Sequence, residues 1–270
     1  LELSKLDDAF YGALGYLCGL EAGNRVPLLS GLEGVEISRD QLKAFSAAFG
    51  TTGAAALFHI AGHTPEAHDA LPTAGGSSEG FETRRISAAE IRHTYAALGG
   101  EEPAPHAPMD DKGEDGGAAV QLVALGNPHF SFDECAELAA LIAGERRHDD
   151  VRLIVTMGRA VLAQAQSAGH AAQIDLFGGQ IVSDTCWCML REPVVPESAA
   201  ALVTNSAKYA HYAPGLVDRR VRFASLEGCI AAAVHGRVPT GPPPWLRPAQ
   251  ASIIHSTHVA QSMAQSLTAG

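Results

Sequence analysis

The stretch Ala118-Ala119-Val120-Gln121-Leu122-Val123-Ala124-Leu125-Gly126-Asn127-Pro128-His129-Phe130-Ser131-Phe132-Asp133-Glu134 decides the fold. The apolar run from Ala118 to Leu125 reads as a strand, and Gly126 to His129 as the turn that ends it. Ser131, with Glu134 three residues later, is a capping box that opens a helix. A strand that feeds a helix through a short turn is the repeating unit of α/β folds.

The same alternation continues outward from this stretch. Downstream, Val151 to Thr156 reads as a strand, Arg159 to Ala168 as a helix, and Ile181-Val182, Leu202-Val203 and Val221 to Phe223 as further strands. Leu226 to Val234 reads as a short helix stopped by Gly236. Upstream, Lys5 to Ala22 is a helix rich in small residues, and Val26 to Leu29 a short strand. Ser38 with Gln41 and Ser87 with Glu90 are two more capping boxes, the first opening a helix to about Phe49. Ala54 to Ala61 is an apolar run that suits a strand buried on both faces. The expected class is therefore α/β, with mostly parallel sheets flanked by helices. Gly99 to Gly117, rich in Glu, Asp, Pro and Gly, reads as a linker. It divides an α/β domain over residues 1–117 from a second over 118–238. Residues 239–270 read as a tail with no place in either domain, expected at the surface.

Bulk properties narrow the function. The chain has 270 residues, 46% of them hydrophobic and 18% charged, which supports a sizeable core. A net charge of −11 and the lack of any Lys/Arg run argue against a nucleic-acid partner. No apolar stretch is long enough to span a membrane, and no signal peptide opens the sequence, so a cytoplasmic location is expected. The chain begins Leu1-Glu2-Leu3, without Met, and is expected to be part of a larger enzyme. Five irregularly spaced cysteines are not a disulfide framework.

Ligands of open α/β sheets collect beyond the carboxyl ends of the strands. His59, the Gly126 to Ser131 turn, Asp184 to Cys186 and Thr204 to Lys208 all fall there. A helix opening at Ser131 offers backbone N–H groups and a favourable dipole to an anion, with His129 beside it as donor, acid or base. The bland alternative is a simple helix cap and a passive turn histidine. Thr204-Asn205-Ser206-Ala207-Lys208 sets two hydroxyls, an amide and an ammonium within five residues. Such a set suits a carboxylate or phosphate, and equally a solvated loop. Thiols are soft ligands for iron–sulfur clusters, zinc or copper. Cys186-x-Cys188 on a strand would point both side chains one way. The plainer reading is a pair of core thiols, as for Cys18 and Cys135.

Several motifs occur in order: Tyr11 to Tyr16, Phe58-His59 to Thr64-Pro65-Glu66-Ala67, Gly126-Asn127-Pro128-His129-Phe130-Ser131, Asp184-Thr185-Cys186, Thr204-Asn205-Ser206-Ala207-Lys208-Tyr209 and Leu226-Glu227-Gly228-Cys229. Together, over about Leu6 to Gly236, they resemble the aconitase X family. The resemblance implies the later part of an aconitase-like large portion, completed by a small swivelling domain, fused or as a separate subunit. It implies a hydro-lyase acting on a small hydroxy-acid substrate with an iron–sulfur cluster. Cys186 and Cys229 match the family's cluster cysteines, and a third ligand would lie outside this chain. Cys188 and Cys135 match no such position. His129, Ser131 and Lys208 take the catalytic positions, and His59, Asn127, Thr204, Asn205 and Ser206 the substrate-binding ones. The base that removes the α-proton is not identified in this set.

Bacterial members resemble cis-3-hydroxy-L-proline dehydratases, and archaeal ones mevalonate 5-phosphate dehydratases. A phosphorylated substrate should demand extra cations, and this acid-rich chain favours 3-hydroxyproline. Two alternatives belong to other classes: a non-catalytic domain that binds a small carboxylate or scaffolds a partner, and a zinc hydrolase. No compact His/Asp/Glu set supports the hydrolase.

Overall fold

The computed structural model describes residues 1–67, 82–100 and 117–246, and the backbone alone of 257–262. Most of the expected linker, residues 101–116, lies outside the described residues.

Nine strands and eight helices are named among the described residues. In chain order they are α1 (Asp8–Ala22), β1 (Val26–Ser30), α2 (Arg39–Thr52), β2 (His59–Ile60), β3 (Glu82–Ile86), α3 (Ala88–Leu98), β4 (Leu122–Phe130) and α4 (Phe132–Leu141). There follow β5 (Arg152–Met157), α5 (Arg159–Ser167), α6 (His170–Leu176), β6 (Gly179–Ser183), β7 (Ala201–Thr204), α7 (Ala207–Val217), β8 (Arg220–Phe223), α8 (Leu226–His235) and β9 (Thr257–Ser262). The three capping boxes read from sequence are all formed, with Ser38, Ser87 and Ser131 each accepting from the N3 backbone N–H.

The larger sheet is parallel throughout, in the order β6-β5-β4-β7-β8. Chain order reverses around β4, so β4 and β7 flank the switch point where such sheets bind ligands. The smaller sheet runs β2-β1-β9-β3. There β1 and β2 are parallel, while β9 is antiparallel to both of its neighbours.

Three expectations need correction. The run from Ala54 forms a strand only at His59–Ile60. Leu57 is 48% exposed, so apolar content here marks a loop against the core, not a buried strand. Cys186 and Cys188 are not on a strand. β6 stops at Ser183, where Asp184 turns left-handed with φ 55° and accepts from the backbone and guanidinium of Arg159. The two cysteines bracket the start of a 3-10 turn over Trp187–Met189. The tail is not simply a surface segment. Trp245 is fully buried, packs its ring 5.3 Å from that of Phe10 and donates its indole N–H to Asp7. Farther on, β9 takes an inner position in the smaller sheet. Neither feature has a local sequence signature: one aromatic and one polar strand find their partners far away in sequence.

Alternate residues of β4 face two cores. Leu122 and Ala124 join Phe10, Tyr11, Phe45, Trp187, Tyr209 and Trp245 on one side. Val123 and Leu125 join Cys135, Leu226, Cys229 and Ile230 on the other. The first core is shared by α1, α2 and α3 with the larger sheet, so the halves on either side of residue 117 pack as a continuous body. Small residues permit the closest approach in it. A Cβ on Gly15 would fall 2.3 Å from the Phe45 carbonyl oxygen of α2, and one on Gly19 would fall 2.2 Å from Thr52 Oγ1.

Candidate active site

At the carboxyl ends of β4 and β7 lies a narrow cleft lined by Asp8, Lys43, Asn127, Glu134, Asn205 and Lys208, among others. Its volume of about 20 Å³ holds a water-sized group and not a whole amino acid. A more open depression of about 840 Å³ runs along β5 and β6, but none of the residues singled out in the sequence lines it.

Four of the expected residues meet at the cleft. Asn127 is 4% exposed, and its carbonyl accepts a short hydrogen bond from the hydroxyl of Ser206. Ser206 in turn caps α7 by accepting from Tyr209 N at 3.0 Å. Asn205 lies one residue before that cap, and Lys208 stands in the first turn of the helix. Lys208 makes no ion pair among the described residues. An unpaired ammonium beside a helix N-terminus is a site for an anion.

Asp8 was missed by sequence reasoning, where it looks like an ordinary first-turn carboxylate of α1. In the structure it accepts from Asn205 Nδ2 at 2.9 Å and from Leu226 N at 3.1 Å. Burial, reinforced by the adjacent Asp7 carboxylate, pushes its pKa up to about 7. Only the topology that brings the start of α1 to the start of α8 reveals this group.

A second cluster, also missed, stands on the Lys43 side. Lys43 Nζ pairs with Asp40 at 2.9 Å and with Glu134, and donates to the His129 carbonyl at 3.2 Å. Ser131 donates its hydroxyl to Asp40 at 2.8 Å while accepting from Glu134 N at 3.1 Å. Its oxygen is thus committed to the helix cap and to the ion cluster. Lys43 is neutralised by two carboxylates, which leaves Lys208 as the cleft cation able to take a further anion.

His129 does not point freely into the cleft. Its Nε2 hydrogen-bonds to the Thr185 carbonyl at 2.9 Å, tying β4 to the cysteine loop. Earlier in the same strand, Gly126 lets β4 approach β5 closely. Its φ is +96°, and a Cβ there would meet the Thr156 carbonyl oxygen at 2.2 Å. Thr204 is fully buried, and its hydroxyl accepts from Ser206 N at 3.2 Å, so it shapes the loop from beneath. His59 lies on β2 in the smaller sheet and does not line the cleft.

The thiols divide between two places. Cys186 is exposed, and its Sγ lies 4.0 Å from Asn127 Oδ1. Cys188 is half-buried, with its Sγ 3.8 Å from Asn127 Nδ2. Cys229 is fully buried in the core that holds Val123 and Leu125, its Sγ turned to the Ala224 carbonyl at 3.9 Å. Trp187, beside Cys186, enters the core on the opposite face of β4. Burial, with Asp8 nearby, raises the Cys229 thiol well above its ordinary range. Among the described residues no group of three or more His, Cys, Asp or Glu side chains is placed to hold a metal. Cys186 has the softness and exposure of a cluster ligand. Cys229, protonated and enclosed, does not fit one in this arrangement.

No helix among the described residues is long and apolar enough to cross a membrane.

Comparison with known proteins accords with this architecture. Residues 1–96 match the aconitase X second domain, and residues 120–235 the aconitase X third domain. The chain is 50% identical over 245 residues to the cis-3-hydroxy-L-proline dehydratase of Pseudomonas aeruginosa, covering 91% of this chain and 40% of that protein. It is 43% identical to the enzyme of the same name from Hypocrea jecorina, over 90% of this chain and 38% of that one. The phosphomevalonate dehydratase large subunit of Methanothermobacter thermautotrophicus is 34% identical, over 78% of this chain and 47% of the subunit. Holo aconitase X of Thermococcus kodakaraensis superposes with a TM-score of 0.67 at 28% identity, covering 85% of this chain and 52% of that one. The chain thus spans 38% to 52% of the length of these relatives. With two of that family's domains matched in order and its fold reproduced, this chain belongs to the aconitase X family.

Proposed function

We propose that this chain forms the carboxylate-binding part of a hydro-lyase that removes water from cis-3-hydroxy-L-proline. The observation that carries the reading is Lys208: an ammonium at the first turn of α7, in a cleft whose other cation is already paired. A single unpaired cation among the described residues that line the cleft suits a substrate with one carboxylate. A phosphorylated acid would need more, which sets the mevalonate 5-phosphate reading second. The 50% identity to a cis-3-hydroxy-L-proline dehydratase supports the same choice.

In this reading Lys208 and the N–H groups at the start of α7 pin the substrate carboxylate, with Asn205 alongside. The reaction breaks the C2–H and C3–OH bonds, forms the C2=C3 double bond and releases water. Asp8, with a proton affinity near neutrality, is the cleft group best suited to take the C2 proton and return it to the leaving hydroxyl. His129 and Ser131 act on position rather than on the substrate, holding the cysteine loop and the ion cluster. When bound, the iron–sulfur centre expected of the family would supply Lewis acidity for the leaving hydroxyl. Cys186 is the residue here that fits as its ligand. The small volume of the cleft is consistent with a site completed by the family's small swivelling domain.

The test is product formation. The chain, joined to the remaining portions of the enzyme that its relatives carry (the earlier part of the large portion and the small domain), is incubated with cis-3-hydroxy-L-proline in heavy water and followed by nuclear magnetic resonance. The expected result is loss of the C3 hydroxyl and a pyrroline carboxylate carrying solvent deuterium. Turnover of mevalonate 5-phosphate with cis-3-hydroxy-L-proline untouched would assign the other substrate, and turnover of neither would leave the carboxylate-binding reading without support.

A further inference from the structure

The depression along β5 and β6 takes no part in the proposed reaction. Its volume of about 840 Å³ falls within the span of small-molecule sites, roughly 300–1,000 Å³. It reaches the first residues of both strands, Arg152 and Gly179, whereas the cleft lies at the carboxyl ends of β4 and β7.

Two arginines line it. Arg147 is oriented through Nη1, which donates to the backbone carbonyls of His148, at 2.9 Å, and of Val151. Its Nε is enclosed and has no acceptor among the described residues, a condition that folded proteins seldom leave uncompensated. Gly178 stands on that side of the guanidinium. Its φ is +87°, and a Cβ there would lie 2.9 Å from Nε and 3.3 Å from Nη2. Any side chain would fill the space beside the fork, and glycine keeps it free. Arg152 is exposed and makes no ion pair among the described residues, although Asp175 lines the same depression. Leu153, Leu162 and Ile181 give the depression an apolar wall.

We propose that this depression binds a small phosphate monoester, with the phosphate between Arg147 and Arg152 and the organic part over Leu153, Leu162 and Ile181. The parallel N–H groups of a guanidinium match two oxygens of a phosphate. Two guanidinium groups favour a dianion over a single carboxylate, which would neutralise only one of them. Asp175 suits a hydroxyl on the organic part, to which it would act as acceptor. The proposal does not depend on the hydro-lyase reading.

Calorimetric titration tests it, on the chain joined to the remaining portions of the enzyme, with phenyl phosphate and inorganic phosphate as probes. Phenyl phosphate should bind one to one, and more tightly than inorganic phosphate, which has nothing to lay on the apolar wall. Arg152→Gln, at an exposed position, should leave the melting temperature unchanged and weaken binding roughly ten- to hundredfold. Ala172→Glu places a carboxylate on the exposed rim of the same depression and should weaken binding as well, with both arginines intact. Lys208→Ala, in the cleft, should bind phenyl phosphate as the unaltered enzyme does. No saturable binding, equal affinity in Arg152→Gln, or binding lost in Lys208→Ala would each overturn the proposal.

Discussion

Asn205 donates to the Asp8 carboxylate at 2.9 Å, joining residues 197 positions apart in sequence. That hydrogen bond closes the cleft floor between the start of α1 and the loop that opens α7. The same carboxylate also caps α8 through Leu226 N, so one group anchors three elements.

Asp8 is held above its ordinary range, at about 7, chiefly by burial. The folded protein therefore keeps a proton that the unfolded chain gives up near pH 3.8. Wherever the folded state binds more protons, stability falls as pH rises. Stability should thus decline from about pH 4 to about pH 7 and level off above. Asp7, raised to about 6, acts in the same direction. Asp8→Asn should flatten this decline and stabilise the protein at pH 8 by roughly 2 kcal/mol. It should also lower turnover at least tenfold, if Asp8 carries the proton. Thermal unfolding across pH, with kcat alongside, checks both.

Lys43 is the centre of a cluster whose Asp40 and Glu134 carboxylates would otherwise repel each other. Burial already raises the Glu134 pKa in spite of that lysine. Lys43→Met should cost about 2–3 kcal/mol, less than for a fully buried pair because the lysine is 27% exposed. Part of that loss should be recovered by adding Glu134→Gln. Urea unfolding of both variants measures it.

The two thiols matched to the family's cluster cysteines should behave differently. Cys186→Ser should lower bound iron and activity and leave the melting temperature nearly unchanged, since its side chain is exposed. Cys229→Ser places a hydroxyl in a closed apolar core and should cost about 1–3 kcal/mol. Metal content and unfolding measured on the same samples separate the two effects. Iron lost equally from both variants would show that Cys229 turns toward the centre in the assembled enzyme.

The sequence made the parallel sheet legible because its signals are local. Strand, turn and capping box follow one another at Leu122 to Glu134, and each capping serine is where the pattern placed it. Apolar content misled at Ala54, where burial against a neighbouring element mimics a strand. Part of the lining of the candidate cleft was legible for the same local reason, since Asn205, Ser206 and Lys208 lie within four residues. Asp8, Asp40 and Lys43 were not, because their meaning comes from chain segments folding together from a distance. His59 was placed at the site by its position after a strand, but that strand belongs to the other sheet.

Lys208 is the residue on which the proposed function turns, and steady-state kinetics with cis-3-hydroxy-L-proline tests it most directly. A charge-assisted contact of about 1.5–3 kcal/mol corresponds to roughly a ten- to hundredfold effect. Lys208→Ala should raise KM by that factor, with a smaller change in kcat and an unchanged melting temperature, while Lys208→Arg recovers part of the affinity. An unaltered KM in Lys208→Ala, with the protein folded and turning over, would contradict carboxylate binding at the start of α7.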